Sequence, residues 1–231
     1  MRILLKWLLK IVISFVVASL LGVFVFRFLP IPFTWLMLIR KTEAVFDNHK
    51  DTELRYDWRS IDEFSQHIPL AIIASEDQLF PDHFGFDFKA IEKAVEQNAK
   101  RKKVKGASTI SQQVAKNVFL WPGRTYIRKG FEVWFTLLIE AFWPKWRIIE
   151  VYMNIAETGR LTFGYEAAAQ RYFRSTAARL SRDQAASITA TLPSPLKMNP
   201  AKPSAYLLKR KQHIISQMQL LGGNSYLKRL D

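Results

Sequence analysis

Pro69-Leu-Ala-Ile-Ile-Ala-Ser-Glu76-Asp77-Gln-Leu-Phe80-Pro-Asp-His83-Phe-Gly85-Phe-Asp-Phe88 brings an apolar run to two carboxylates and then surrounds them with rings. Proline fixes φ near the helical value, so Pro69 suits the first turn of a helix running to Asp77. A segment so uniformly apolar belongs in a core. A carboxylate leaving that core among Phe80, Phe84 and Phe86 is expected to be desolvated, which raises its pKa. Glu76 is then a candidate general acid or base for a sugar hydroxyl. The plainer alternative is that Glu76 or Asp77 caps or pairs locally. His83 stands alone, without the spaced His and carboxylate set of a zinc site, and reads as a hydrogen-bonded structural residue.

Outward from this stretch the chain is basic and largely helical. Its 231 residues carry 34 Lys and Arg against 20 Asp and Glu, a formal charge of +14, which favours anionic partners. Absence of cysteine excludes disulfides and cysteine-based zinc sites. Trp7 to Leu29 is a nearly unbroken apolar stretch of 23 residues, against about 20 needed to cross a bilayer. Arg2, Lys6 and Lys10 precede it, predicting a cytoplasmic amino end, a retained single-pass anchor and an exported remainder. Pro30 to Ile39 is too broken for a second span. It reads equally as a membrane-surface segment with Trp35 in the interfacial zone and as part of the following core. The expected organisation is a cytoplasmic tip and anchor over 1–29, a juxtamembrane segment over 30–56 and a catalytic domain over 57–231.

Helix signals fill the rest. Ser60-Ile-Asp-Glu63 has capping-box form, Phe88, Ile91 and Val95 share a helical face, and Ser108 is expected to cap a helix reaching Phe119. Further helices are expected over Arg128–Phe142, after Pro144 and after Ser181, with a last one from Ser204 to Leu221 stopped by Gly222-Gly223. The four-proline segment 192–204 is a wrapping loop, and period-2 alternation is scarce.

Two more constellations carry chemistry. In Gly-Ala-Ser108-Thr109-Ile-Ser-Gln112-Gln113-Val-Ala-Lys116-Asn117, amides and a cation fall within one turn, and unpaired N–H groups at the helix start are suited to an anion. In Arg124-Thr-Tyr-Ile-Arg128-Lys129-Gly130-Phe-Glu132, both cations stand three or four residues from Glu132 and can meet it on a helix. Such pairs are ordinary at a surface, but the rings at 131 and 133–135 place Glu132 off an open face, where its neighbours would keep it ionised. Gly130 is out of place in a helix interior.

These three stretches, in order, resemble the first three motifs of the family 51 glycosyltransferases, the peptidoglycan transglycosylases. Lys145-Trp-Arg-Ile-Ile-Glu150-Val-Tyr152-Met-Asn154 is similar to the fourth, and Gly164-Tyr-Glu-Ala-Ala-Ala-Gln-Arg-Tyr-Phe173 continues it. The resemblance spans 57–200, and the chain leaves no room after it for a penicillin-binding transpeptidase domain, so the similarity is to the monofunctional members. It implies a mainly α, lysozyme-like two-lobed helical domain that polymerises lipid II at the periplasmic face of a bacterial inner membrane, inverting the donor sugar and releasing undecaprenyl diphosphate. Glu76 would be the base. Lys116, Arg124, Arg128 and Lys129 would hold the diphosphate with Ser108 and Gln113. Glu132 would orient those cations, or hold a divalent ion such as Mg or Mn. A membrane-bound lysozyme-like hydrolase shares one acid in a helical cleft but needs no cations facing a leaving group. A basic tethered adaptor would explain charge and anchor alone, and no nucleic-acid module is recognisable. Cell-wall synthesis or division proteins are expected partners beside lipid II and the growing glycan.

Overall fold

The computed structural model describes residues 2–47, 51–99, 107–123 and 125–230. The basic run Lys100–Lys105 therefore lies outside the described residues. The amino-terminal apolar run forms α1 (Arg2–Phe28), which among the described residues is the one helix long and apolar enough to cross a membrane. Its first half leaves Leu4, Leu8, Ile11 and Val12 exposed. Its second half is docked: Phe15 packs on Phe131 at 5.4 Å, Trp134 Nε1 donates to Ser19 Oγ at 3.2 Å, and Trp143 Nε1 donates to the Val23 carbonyl at 2.7 Å. A helix end leaves carbonyls without partners; here Arg147 Nη2 donates to those of Phe26 and Leu29 at 2.8 and 2.5 Å.

The juxtamembrane segment joins both readings. After Pro32, Thr34 accepts from the Met37 N–H at 3.3 Å and opens α2 (Trp35–Phe46). Ile31, Met37 and Ala44 are buried, and the first two belong to the main core, while Phe33, Trp35, Leu38 and Phe46 remain exposed. One face is core and the other is bare apolar surface.

Among the described residues eight further α-helices surround that core: α3 (His67–Glu76), α4 (Phe88–Ala99), α5 (Ile110–Phe119), α6 (Tyr126–Phe142), α7 (Lys145–Ile155), α8 (Gly164–Phe173), α9 (Arg182–Thr191) and α10 (Ala205–Leu220). In α3 every residue from Ile68 to Ala74 is buried, as its uniform apolarity requires. It packs on α9 and α10, where Ala185, Ala186 and Ala190 permit close approach. On the other side α5 packs on α6 and α7, with Phe119 stacked on Phe135 at 4.5 Å, and α7 reaches back to α3. Two groups of helices thus form two lobes, lysozyme-like, with a cleft between them. A small sheet in the order β1-β3-β2, made of β1 (Arg55–Tyr56), β2 (Glu157–Gly159) and β3 (Thr162–Phe163), closes one end. β1 runs parallel to β3 and β2 antiparallel to it.

The capping box of Ser60-Glu63 forms as expected, around a single 3-10 turn, with the Ser60 N–H donating to Glu63 at 3.0 Å. Two other starts differ from expectation. Thr109, not Ser108, caps α5, since its Oγ1 accepts from the Gln112 N–H at 3.2 Å. Thr125 caps α6, which begins at Tyr126, ahead of Arg128. In α4 the Phe88 and Val95 side is exposed, whereas Ala90, Lys93, Ala94 and Gln97 face the cleft.

Candidate active site

The carboxylate that ends α3 opens into the cleft. Glu76 lines a cavity of about 600 Å3 with Ser108, Gln113, Lys93, Gln97 and Arg210. The expected ring of aromatics does not enclose it. Phe80 turns into the core under the Lys145 ammonium, 4.6 Å from the ring centre, Phe84 is exposed, and Phe86 pairs with Phe88. Instead Glu76 Oε1 accepts from Ser75 Oγ at 2.9 Å and from Arg210 Nη2 at 3.4 Å, while Oε2 accepts from Gln113 Nε2 at 3.4 Å. The greasy surround anticipated from sequence is a polar clamp. The rings follow a turn whose direction the residue pattern does not encode.

Asp77 does the structural work beside it. Buried, it takes His83 Nε2 at 2.8 Å and the Ile110 N–H at 3.0 Å. Of the N–H groups at the start of α5, that of Ile110 thus meets the chain's own carboxylate and that of Gln112 meets Thr109, and a helix start is a favourable place for negative charge. His83 is structural, as expected. Gly85 adopts φ +76°, and a Cβ there would lie 2.6 Å from Thr136 Cγ2, so the turn requires glycine. The Gly85 carbonyl accepts from Thr109 Oγ1 at 2.7 Å. Below, Lys145 donates to Glu140 at 2.8 Å and to the His83 carbonyl at 2.6 Å, and Ser111 completes the buried network through Glu140.

The two glutamines of α5 part company. Gln112 is buried in the capping box with Thr109. Gln113 faces the cleft, where its Oε1 accepts from Tyr152 OH at 3.2 Å. Burial, and then the Glu76 charge, push the Tyr152 phenol well above its usual pKa, so it stays a donor. With the Gln113 carbonyl held that way, its NH₂ is turned to Glu76.

One turn further along α5, Lys116 reaches α6. It is half-buried, and its ammonium has no hydrogen-bond partner among the described residues. Desolvation lowers its pKa, with Arg128 and Lys129 pushing the same way and Glu132 opposing. Glu132 is buried and meets Arg128 Nη1 at 2.7 Å and Lys129 through its other oxygen. Three cations thus share one carboxylate, leaving positive charge for an anion. Both oxygens of Glu132 are thus engaged by cations of its own helix, and among the described residues no group of three or more His, Asp or Glu is placed to hold a metal. Arg124 lies outside the described residues.

Of the expected site residues, then, Glu76, Ser108 and Gln113 share the cleft, and Lys116, Arg128, Lys129 and Glu132 form a second cluster reached along α5. Sequence reasoning gave no role to Tyr152 or Arg210. The first lay inside a motif without a visible partner; the second stands 134 residues from Glu76, with no spacing to connect them.

Known proteins resemble this chain along nearly its whole length. The family model described as Transglycosylase matches residues 42–219. A protein of Bacteroides thetaiotaomicron named "Biosynthetic peptidoglycan transglycosylase" is 51% identical over 217 residues, 94% of this chain and 87% of that protein. One of the same name from Pseudomonas fluorescens is 48% identical over 231 residues, 100% of this chain and 96% of its own. Another, from Xanthomonas campestris, is 46% identical over 224 residues, 97% and 91% of the two chains. The cleft carboxylate and the cation-bearing helix pair thus belong to a member of the transglycosylase family, a peptidoglycan glycosyltransferase of cell wall synthesis.

Proposed function

We propose that the protein polymerises lipid II at the periplasmic face of the bacterial inner membrane, joining disaccharide units by β-1,4 bonds. In this reading Glu76 takes the proton of the acceptor 4-hydroxyl as that oxygen attacks C1 of the donor sugar with inversion. The C1–O bond to phosphate breaks with its electron pair, and the diphosphate leaves on its lipid. A hydroxyl is a weak nucleophile, so a positioned base contributes about 10²- to 10⁴-fold. Charge developing on the diphosphate needs preplaced cations in a site shielded from water. Lys116, Arg128 and Lys129 supply them, Glu132 orients Arg128 and Lys129, and Ser108 and Gln113 add polar contacts.

The observation that carries the reading is α5 itself. Gln113 touches Glu76, and Lys116, three residues on, joins the α6 cations. Three residues along a helix advance about 4.5 Å, so α5 links the proposed base to the proposed leaving-group seat. Localisation rests on α1, with Arg2, Lys6 and Lys10 at its leading end and the exposed apolar side of α2 beside its other end. An anchored enzyme with an anion seat suits a diphosphate substrate that cannot leave the membrane.

The test is product analysis with purified full-length protein in detergent, given lipid II in one sample and finished glycan in another. Polymer from lipid II, with intact glycan left unchanged, is the expected result. Cleavage of finished glycan without polymer formation would favour a hydrolase and refute the proposal.

A further inference from the structure

We infer that Arg210, on the last helix and outside the motifs that carry the family resemblance, is a positioning residue that decides which oxygen of Glu76 receives the proton. The inference rests on the reading of Glu76 as the base. Its two carboxylate oxygens have unlike surroundings. Oε1 holds two donors, Ser75 Oγ at 2.9 Å and Arg210 Nη2 at 3.4 Å, and the same Nη2 donates to Ser75 Oγ at 3.0 Å. Guanidinium, hydroxyl and Oε1 therefore close a triangle. Oε2 has the Gln113 amide alone, at 3.4 Å, and that amide is aimed by Tyr152. With the lone pairs of Oε1 engaged, Oε2 is the oxygen with room for an incoming hydroxyl.

Arg210 is placed to do this rather than to hold the fold together. Among the described residues its hydrogen bonds run through Nη2, and its buried Nε has no partner. A guanidinium serving as a core brace would spread its five N–H groups over several acceptors, as Arg147 does. Arg210 also lines the cleft, opposite α4. In the step it supports, the acceptor O–H proton passes to Oε2 as the O–C1 bond forms and the C1–O(phosphate) bond breaks. Glu76 later returns that proton to solvent, and Arg210 is unchanged throughout. Without the clamp the carboxylate can swing, and a base displaced by about 1 Å loses up to about 10²-fold.

Lipid II polymerisation by full-length protein tests this with Arg210→Met, Arg210→Lys, Ser75→Ala, Glu76→Gln and the double variant Arg210→Met with Glu76→Gln. Arg210→Met is expected to lower kcat about 10- to 100-fold, with apparent KM within about threefold and the melting temperature held. Arg210→Lys, which keeps the charge but not the planar fork, should fall between Met and wild type. Ser75→Ala removes the other arm of the triangle and should lower kcat several-fold even if Arg210→Met folds poorly. Because Arg210 acts through Glu76, the double variant should be no slower than Glu76→Gln alone. Losses that multiply, a wild-type rate in Arg210→Met, or an unchanged Ser75→Ala rate where Arg210→Met is unfolded, would overturn the inference. A wild-type rate in Glu76→Gln would instead remove the reading of Glu76 as base.

Discussion

The role proposed for Lys116 would set the needs of the substrate against the stability of the protein. Its ammonium is desolvated beside two other cations, and that lowers its pKa from the ordinary 10.5. A folded-state value below the unfolded one means the charged form disfavours folding at every pH beneath it. The penalty is relieved as pH rises through the folded value toward 10.5. Lys116→Met should therefore be more stable than wild type at neutral pH, by denaturant unfolding, and should lack the wild type's relative gain on going alkaline. The same variant should bind lipid II poorly, because the leaving diphosphate loses a partner. Equal stability of the two proteins at neutral pH would mean the ammonium is not strained beside Arg128 and Lys129. Tyr152 has the opposite situation: its phenol is kept protonated and aims Gln113, so its contribution is orientation.

Among the helices, much was legible where local chemistry decides and little where distance decides. Ser181 and Ser204 cap α9 and α10 as their hydroxyls predict, accepting from N–H groups three residues on at 3.3 Å in each case. Ser108 and Thr109 are adjacent hydroxyls with equal local claims on α5, and a remote contact, Thr109 to the Gly85 carbonyl, selects the second. The β strands span two or three residues, below the length at which alternation can be seen. The glutamates of the motifs were visible as charges, but two partners of Glu76, Gln113 and Arg210, come from α5 and α10, which a one-dimensional pattern cannot bring together. Gly130 makes a clean contrast with Gly85. It sits exposed inside α6, and a Cβ there would meet nothing within 4 Å. Gly130→Ala should stabilise the protein by about 1 kcal/mol, read from the denaturation midpoint. A loss of stability would show that the α6 backbone needs glycine for a reason beyond packing.

Across the whole molecule, anchor and cleft are parts of one packed body. Arg147 joins the last carbonyls of α1 to Glu150, whose other oxygen accepts from the Ile61 N–H at 2.8 Å. The helix that carries Arg147 also carries Tyr152, so a continuous chain of contacts runs from α1 to Glu76. Arg147→Met would leave Glu150 buried without its charge partner and strip the end of α1, costing about 3 kcal/mol in unfolding experiments; a cost near zero would mean that α1 docks by its apolar contacts alone. The bare apolar side of α2 follows directly on the end of α1, which under the proposed localisation would set the attitude of the cleft to the bilayer. The proposed chemistry requires Glu76 as the proton acceptor facing a separate seat for the diphosphate. Its most direct measurement is lipid II turnover by full-length Glu76→Gln, with lipid II binding measured on the same sample. The prediction is binding within about threefold of wild type and a rate lower by about 10²- to 10⁴-fold. Turnover near the wild-type rate would contradict it.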